Sequence, residues 1–300
     1  RNRSAETTNT SNTSQNTSNQ NANADQNSQR TIVEIASSDS RFSTLVSALR
    51  AADLVDALNG STEYTVFAPT NEAFAKLPPA VLNDLVSNPD KKNILANILR
   101  YHVVNGEVTA SQVVNLTSAK ALNNTEIRIA RNGSDVMLNS MVKVTQTDIQ
   151  ARNGVIHVID TVLINDPVDT LTSLGGFTSL ATALTRADLV NTLKGAGPFT
   201  IFAPTDAAFA KIDPTTLNAL LTNPGQLQTL KNILTYHVAG ANVPSSEVVK
   251  LTTAPTVNGK ALPIQVQNGA VILNGNSRVV ITDVPVSNGI VHVIDTVMIP

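Results

Sequence analysis

Thr65-Val-Phe-Ala-Pro-Thr-Asn-Glu-Ala-Phe74 returns 135 residues later as Thr200-Ile-Phe-Ala-Pro-Thr-Asp-Ala-Ala-Phe209. The same interval carries Asn97-Ile-Leu-Arg-Tyr-His-Val103 to Asn232-Ile-Leu-Thr-Tyr-His-Val238. It carries Asn153-Gly-Val-Ile-His-Val-Ile-Asp-Thr-Val162 to Asn288-Gly-Ile-Val-His-Val-Ile-Asp-Thr-Val297, and Ala51-Ala-Asp-Leu-Val55 to Arg186-Ala-Asp-Leu-Val190. One spacing for four separate blocks means that a whole domain is duplicated. A period this long gives two globular units, not a solenoid of short repeats. The expected domains are 31–165 and 166–300, joined at Asn165-Asp166-Pro167. So short a joint leaves little slack between them.

Within one unit the pattern changes from helical to extended. Phe42, Leu45, Val46, Leu49, then Leu54, Val55 and Leu58 have helical spacing, stopped by Asn59-Gly60. Tyr64 to Ala68 reads as a short apolar strand ended by Pro69, and Thr70 is placed to cap a helix carrying Glu72 and Phe74. Pro79–Val86, Lys91–Arg100 and Ser111–Leu116 read as further helices. Glu126–Ala130, Val136–Leu138, Met141–Ile149 and Val155–Ile164 read as strands, with a hairpin signal at Asn132-Gly133 and, one residue off the interval, at Asn268-Gly269. Helices first and strands after make each unit α+β.

Composition narrows the function. Hydrophobic residues are 42% of the chain, enough for a core in each unit, and a net charge of −2 offers no basic field for nucleic acid or an anionic membrane. Cysteine is absent, so disulfides and thiolate chemistry are excluded. No apolar run approaches the roughly 20 residues that span a bilayer. The chain starts at Arg1 and shows no signal peptide, which fits a mature or trimmed product. Arg1–Arg30 is mostly Asn, Ser, Thr and Gln with a few alanines and almost nothing else apolar, and is expected to be disordered, either a flexible spacer or an inert leader. Asn-x-Ser/Thr triplets at Asn2, Asn9, Asn12, Asn16, Asn59, Asn115, Asn123 and Asn132 matter only in a glycosylating source.

The three longer blocks resemble the landmarks of the fasciclin domain: the first signature at Thr65 and Thr200, the Tyr-His pair at Tyr101-His102 and Tyr236-His237, and the second signature at Gly154–Leu163 and Gly289–Met298. They occur in family order in both copies, and the resemblance covers about residues 31–300. It implies a compact α+β unit with a wedge-like β-sandwich and packed helices. It also implies a secreted or surface-anchored protein, outside the cell or in a periplasm, that adheres to cells, matrix or other proteins. The missing cysteine and the polar leader point to a bacterial member, so the integrin tied to the Tyr-His region of periostin-like animal members is not carried over.

The four histidines form equivalent pairs, His102 with His157 and His237 with His292. A metal site wants three or four converging ligands, and no HExxH or cysteine set is present, so neither a metal nor a cofactor is implied. Val155–Val162 is apolar on both faces and suits a strand buried on both sides. His157 and His292 there are expected to pin the first signature at Thr70 or Asn71, and correspondingly Thr205 or Asp206. Asp160 and Asp295 face the other side of the strand, where they cannot pair with those histidines and are expected to stabilise a turn. Tyr101, His102, Tyr236 and His237 are the partner-binding candidates, weighed against a core-capping role that the preceding Ile-Leu spacing predicts. Lys91-Lys92 is expected to be a solvated helix start. Aromatics are 3% of the chain with no tryptophan, which disfavours a lectin. The leading expectation is adhesion to an extracellular protein, matrix or cell-surface component. A carrier of a small lipophilic or haem-like ligand is the alternative. A hydrolase has no motif pairing nucleophile with base.

Overall fold

The computed structural model describes residues 26–77 and 79–300. Most of the expected disordered tail, including Asn2, Asn9, Asn12 and Asn16, lies outside the described residues. A capping box opens the helix Ile32–Ser38: the Thr31 hydroxyl accepts from the Glu34 N–H (3.2 Å) and the Glu34 carboxylate accepts from the Thr31 N–H (2.7 Å). The helical spacing that starts at Phe42 does not include this helix. Helices Ser43–Ala51 and Val55–Leu58 follow, then β1 (Tyr64–Pro69) and the helix Asn71–Ala75, whose Thr70 cap accepts from the Ala73 N–H. Pro79–Ser87 and Lys92–Arg100 are the next helices. β2 (Val103–Asn105), the helical turn Ala110–Val113, β3 (Ser118–Lys120), β4 (Glu126–Asn132), β5 (Asp135–Leu138), β6 (Val142–Ala151) and β7 (Gly154–Ile159) complete the repeat.

The strands form one seven-stranded sheet in the order β2-β1-β7-β6-β5-β4-β3. β1 and β7 pair in parallel, from Tyr64 opposite Gly154 to Pro69 opposite Ile159, and every other pair is antiparallel. All six residues of β7 are buried, which is why its sequence is apolar on both faces. The expected sandwich takes the form of this sheet curling until its ends meet. Val104 of β2 bridges to Ala121, and the Leu122 N–H donates to the Val103 carbonyl (2.8 Å).

The second repeat runs through helices Pro167–Leu174, Thr178–Arg186, Val190–Lys194, Asp206–Phe209, Pro214–Thr222, Leu227–Tyr236 and Ser245–Val248. Its strands are β8 (Phe199–Pro204), β9 (Val238–Ala239), β10 (Thr253–Pro255), β11 (Ala261–Gln267), β12 (Ala270–Leu273), β13 (Ser277–Val286) and β14 (Gly289–Ile294), joined in the same order with β8 and β14 parallel. Phe202, Leu262, Leu273, Ile294 and Met298 form its core. The hairpin strands keep the repeat interval, Ile129 opposite Leu138 matching Ile264 opposite Leu273, so only the turn residues slide by one position.

By internal contacts the chain divides into two units. The first holds the N-terminal part to Lys76, His102–Leu122 and Glu126–Val162; the second holds Leu77–Tyr101, Asn123–Thr125 and Leu163–Pro300. Inside the second unit Asn97 Nδ2 donates to Ser173 Oγ (3.0 Å). Lys91 is not solvated as expected: its side chain is buried, and its ammonium donates to the Asp84 carboxylate and to the Thr282 carbonyl. Its aliphatic stem suits an apolar setting, and a carboxylate and a carbonyl together satisfy the charge there.

Candidate functional site

The repeated polar residues converge inside each sheet. His157 stands on β7 opposite Phe67, ring centroids 5.7 Å apart. Its Nε2 donates to the Val108 carbonyl (2.7 Å), and its Nδ1 accepts from the Asp148 N–H (3.3 Å). Asp148 sits where β6 bulges against β7, with φ of 57°, and its carboxylate accepts from the Ala110 N–H (2.8 Å). From the other side the Thr65 hydroxyl donates to the Gly106 carbonyl (2.8 Å) and accepts from the Val108 N–H (2.7 Å). Threonine, histidine and aspartate thus grip the loop 106–110 from three strands.

The second repeat copies this network. His292 donates to the Val243 carbonyl (2.9 Å) and accepts from the Asp283 N–H (3.2 Å); Thr200 holds Ala241 and Val243; Asp283 accepts from the Ser245 N–H. Burial pushes both histidines below their ordinary pKa, against the upward pull of the carbonyl each binds. Neutral rings fit the bonding, because each Nδ1 must accept while Nε2 donates.

The expected contact from His157 to Thr70 or Asn71 is therefore corrected. Strand residues rise about 3.3 Å each, and His157 is in register with Phe67, three residues short of Thr70. Thr70 and Thr205 cap the helices that follow them. Asn71 reaches back instead to the helix Ser43–Ala51, which has no side-chain cap of its own, and accepts from the Thr44 N–H (3.0 Å). Asp206 does the same for Ser179 (2.7 Å) and Thr178 (3.2 Å). Burial raises the Asp206 pKa, but those two N–H groups outweigh it and hold the carboxyl below its usual range. Asp160 accepts from the Lys143 N–H (2.9 Å) and the Thr161 hydroxyl (3.0 Å), and Asp295 from the Arg278 N–H (3.0 Å) and the Thr296 hydroxyl (2.9 Å), at the strand ends and away from the histidines.

The same network and topology occur twice, and a model of the fasciclin domain matches residues 40–165 and again 175–300. The chain belongs to the fasciclin domain family. It is similar to transforming growth factor-beta-induced protein ig-h3 of Sus scrofa, 31% identical over 257 residues, which is 84% of this chain and 37% of that protein. It is also similar to cell surface glycolipoprotein MPB83 of Mycobacterium bovis, 36% identical over 138 residues, 44% of this chain and 60% of that one. A FAS1 domain pair from the insect cell adhesion molecule fasciclin I aligns with a TM-score of 0.44 at 22% identity, covering 87% of this chain and 97% of that one. The chain thus spans well under half the length of ig-h3.

In neither fasciclin domain does the Tyr-His pair reach the surface. Tyr101, His102, Tyr236 and His237 are 1–3% exposed, so as folded they offer a partner no contact. The Tyr236 hydroxyl donates to Asn274 Oδ1 (3.1 Å). His237 Nδ1 donates to the Ile233 carbonyl (2.8 Å), and Nε2 accepts from the Met298 N–H (3.0 Å), which ties the C-terminal segment to the helix Leu227–Tyr236. Burial lowers the His237 pKa to about 4. The helical spacing that placed these residues against the core outweighs the preference of tyrosine for interfaces.

Thr65, Asp148, Asn153 and their counterparts are not among the predicted site residues, although all recur at the repeat interval. Asn153, 2% exposed, donates to the Leu58 (2.8 Å) and Gly60 (3.1 Å) carbonyls and accepts from the Ile32 N–H (2.9 Å). Asn288 makes the two donor contacts, to Leu193 and Gly195, but its buried Oδ1 has no protein partner. Pro167 occupies the position of Ile32 and has no N–H to give. Pro167→Ala is expected to restore that bond. The gain of about 1–3 kcal/mol for satisfying a buried acceptor exceeds the roughly 0.4–1 kcal/mol of preorganisation lost with the proline. Urea unfolding would show a midpoint shifted upward in Pro167→Ala; a lower midpoint would mean that this oxygen gains nothing from the restored N–H.

Among the described residues, no three of His, Cys, Asp and Glu come together to hold a metal ion, and no helix is long and apolar enough to cross a membrane. A small cavity beside Ile94, Tyr101, Leu163, Thr170 and Val284 has about 10 Å³, room for a single water.

Proposed function

We propose that this chain is an extracellular or cell-surface binding protein whose two fasciclin domains make protein, matrix or cell contacts without catalysing a reaction. One observation carries the reading. His157, His237, His292, Tyr236 and the signature threonines are spent on internal hydrogen bonds, and Tyr101 and His102 are buried, while large aliphatic side chains stand in solvent. Met141, Val249, Val257, Val266, Val280 and Ile299 are each 46–65% exposed. A fold that buries its reactive groups and displays aliphatic ones is suited to contact. The relative from M. bovis is by name a cell surface glycolipoprotein, and the family membership supports the same placement.

The test is saturable binding of labelled, folded protein to surfaces of its source organism, with heat-unfolded protein beside it. Binding that requires the fold supports the reading. Binding no greater than that of the unfolded control removes it, and turnover in an esterase, peptidase or glycosidase screen would replace it with an enzyme.

A further inference from the structure

Lys143 and Asp135 form an ion pair of 2.7 Å across the β5–β6 hairpin of the first repeat. Strand register places Arg278 where Lys143 stands and Ala270 where Asp135 stands, since Met137 opposes Lys143 as Ile272 opposes Arg278. The cation has been kept and its carboxylate replaced by a methyl group. Among the described residues the Arg278 guanidinium has no ion-pair or hydrogen-bond partner. Only its backbone is engaged: the N–H donates to the Asp295 carboxylate (3.0 Å) and the carbonyl accepts from the Asp295 N–H (3.1 Å). The nearby Asp283 carboxylate is occupied by the N–H and hydroxyl of Ser245.

Arg278 borders a groove of about 350 Å³, open to solvent, between the helical turn Ser245–Val248 and the β12–β13 hairpin. Val249, Ala270, Val271 and Val279 line it, and Val249 is 46% exposed. Both strands are already paired on both sides, so an occupant cannot add a strand and must bind through its side chains.

We infer that this groove of the second repeat docks a protein segment presenting an aliphatic side chain next to a carboxylate, the aliphatic group on the valines and the carboxylate on Arg278. The inference rests on the binding function proposed above and names its contact surface. Guanidinium matches carboxylate in charge and in its paired donor geometry. A single cation in a chain of net charge −2 does not suit a nucleic acid or an anionic lipid surface. An open groove of this volume is at the lower limit for enclosing a free small molecule, which normally loses most of its surface on binding. A chain segment, by contrast, continues past the groove and gathers further contacts.

The test titrates the ¹⁵N-labelled full chain with the acetylated, amidated pentapeptide Gly-Leu-Glu-Val-Gly. The amides of Ser246, Val249 and Ala270 are expected to shift saturably. The same peptide with Gln for Glu should bind about fivefold or more weakly, as should the Glu peptide at high salt. Arg278→Gln should lose the response. So should Ala270→Asp, which gives Arg278 the internal partner that Lys143 has at a position outside the buried core. Equal binding of the Glu and Gln peptides, or full binding by Arg278→Gln, would overturn the inference. Hexanoate shifting the same amides as strongly as the peptide would replace the protein segment with a small carboxylate. Surface binding of the whole chain is read separately. Peptide binding in the groove without surface binding sinks the adhesion reading and leaves the groove standing. Surface binding undiminished in Ala270→Asp removes the groove from the contact.

Discussion

Acidification from pH 6.5 toward 4 is expected to lower the stability of the second repeat by about 3 kcal/mol through His237 alone. Burial depresses the folded pKa of His237 from 6.5 to about 4. In that interval the unfolded chain takes up a proton that the folded chain refuses. The stabilisation is therefore complete above about 6.5 and disappears as pH falls through the folded value. The geometry gives the cause: an imidazolium has no acceptor left, so the Met298 N–H would face another N–H instead of a lone pair. His292 and His157 are lowered in the same direction, and each would lose the N–H it accepts from Asp283 or Asp148. Urea unfolding followed by far-ultraviolet circular dichroism at stepped pH measures the effect. The midpoint should drop steadily across the window, and His237→Asn should drop less steeply. Lowered carboxyls such as Asp39 and Asp206 act in a later window, since their stabilisation starts to fade only near the unfolded carboxylate pKa of 3.8. A midpoint flat from pH 6.5 to 4.5 would show that the imidazoles are reached by solvent.

Gly154→Ala and Gly289→Ala are expected to cost about 4 kcal/mol or more each, among the largest effects of any single change here. These glycines open β7 and β14, where the parallel pairing begins opposite Tyr64 and Phe199. A methyl group on Gly154 would lie 1.8 Å from the Tyr64 carbonyl oxygen, and one on Gly289 would lie 1.9 Å from that of Phe199. Neither obstacle is a flexible side chain that can swing aside. Gly154 also has φ of 133°, which side-chain-bearing residues rarely adopt. Relief requires the two central strands to separate at their start. Thermal unfolding of the two variants would show a fall of many degrees, or no folded protein. An alanine variant melting within a degree or two of the parent would mean that the strands can part there without loss.

The sequence made the duplication, the α+β order and most helices legible because those depend on local periodicity and on recurrence. Thr70 capping its helix and the burial of β7 on both faces could be read from a few neighbouring residues. The parallel pairing of β1 with β7 could not, because Tyr64 and Gly154 meet only through the tertiary fold. β2 and β3 are three residues each, too short for any alternation to stand out. The predicted strand Val155–Ile164 ran on because Thr161-Val-Leu-Ile164 is as apolar as a strand, whereas the ladder ends at Ile159. At the candidate site the histidines were found, but their partners were not. Val108 and Gly106 contribute carbonyls, which every residue carries, and Asp148 contributes an N–H from a bulge. Lys91 misled because two adjacent lysines look like a solvent face, and only the arrangement of Asp84 and Thr282 shows otherwise.

The placement of β7 and β14 has a consequence for how the chain is made. Each is the last strand of its repeat, yet it lies inside the sheet, with a much earlier strand on one side. A nascent repeat emerging N-terminus first has its helices and hairpins, but its earliest strand has no central neighbour until the final segment is released. Contacts this distant in sequence slow folding. Until then β1 or β8 exposes apolar residues that the finished sheet covers. Truncation just before Gly289 would accordingly split the sheet down its middle instead of trimming an edge.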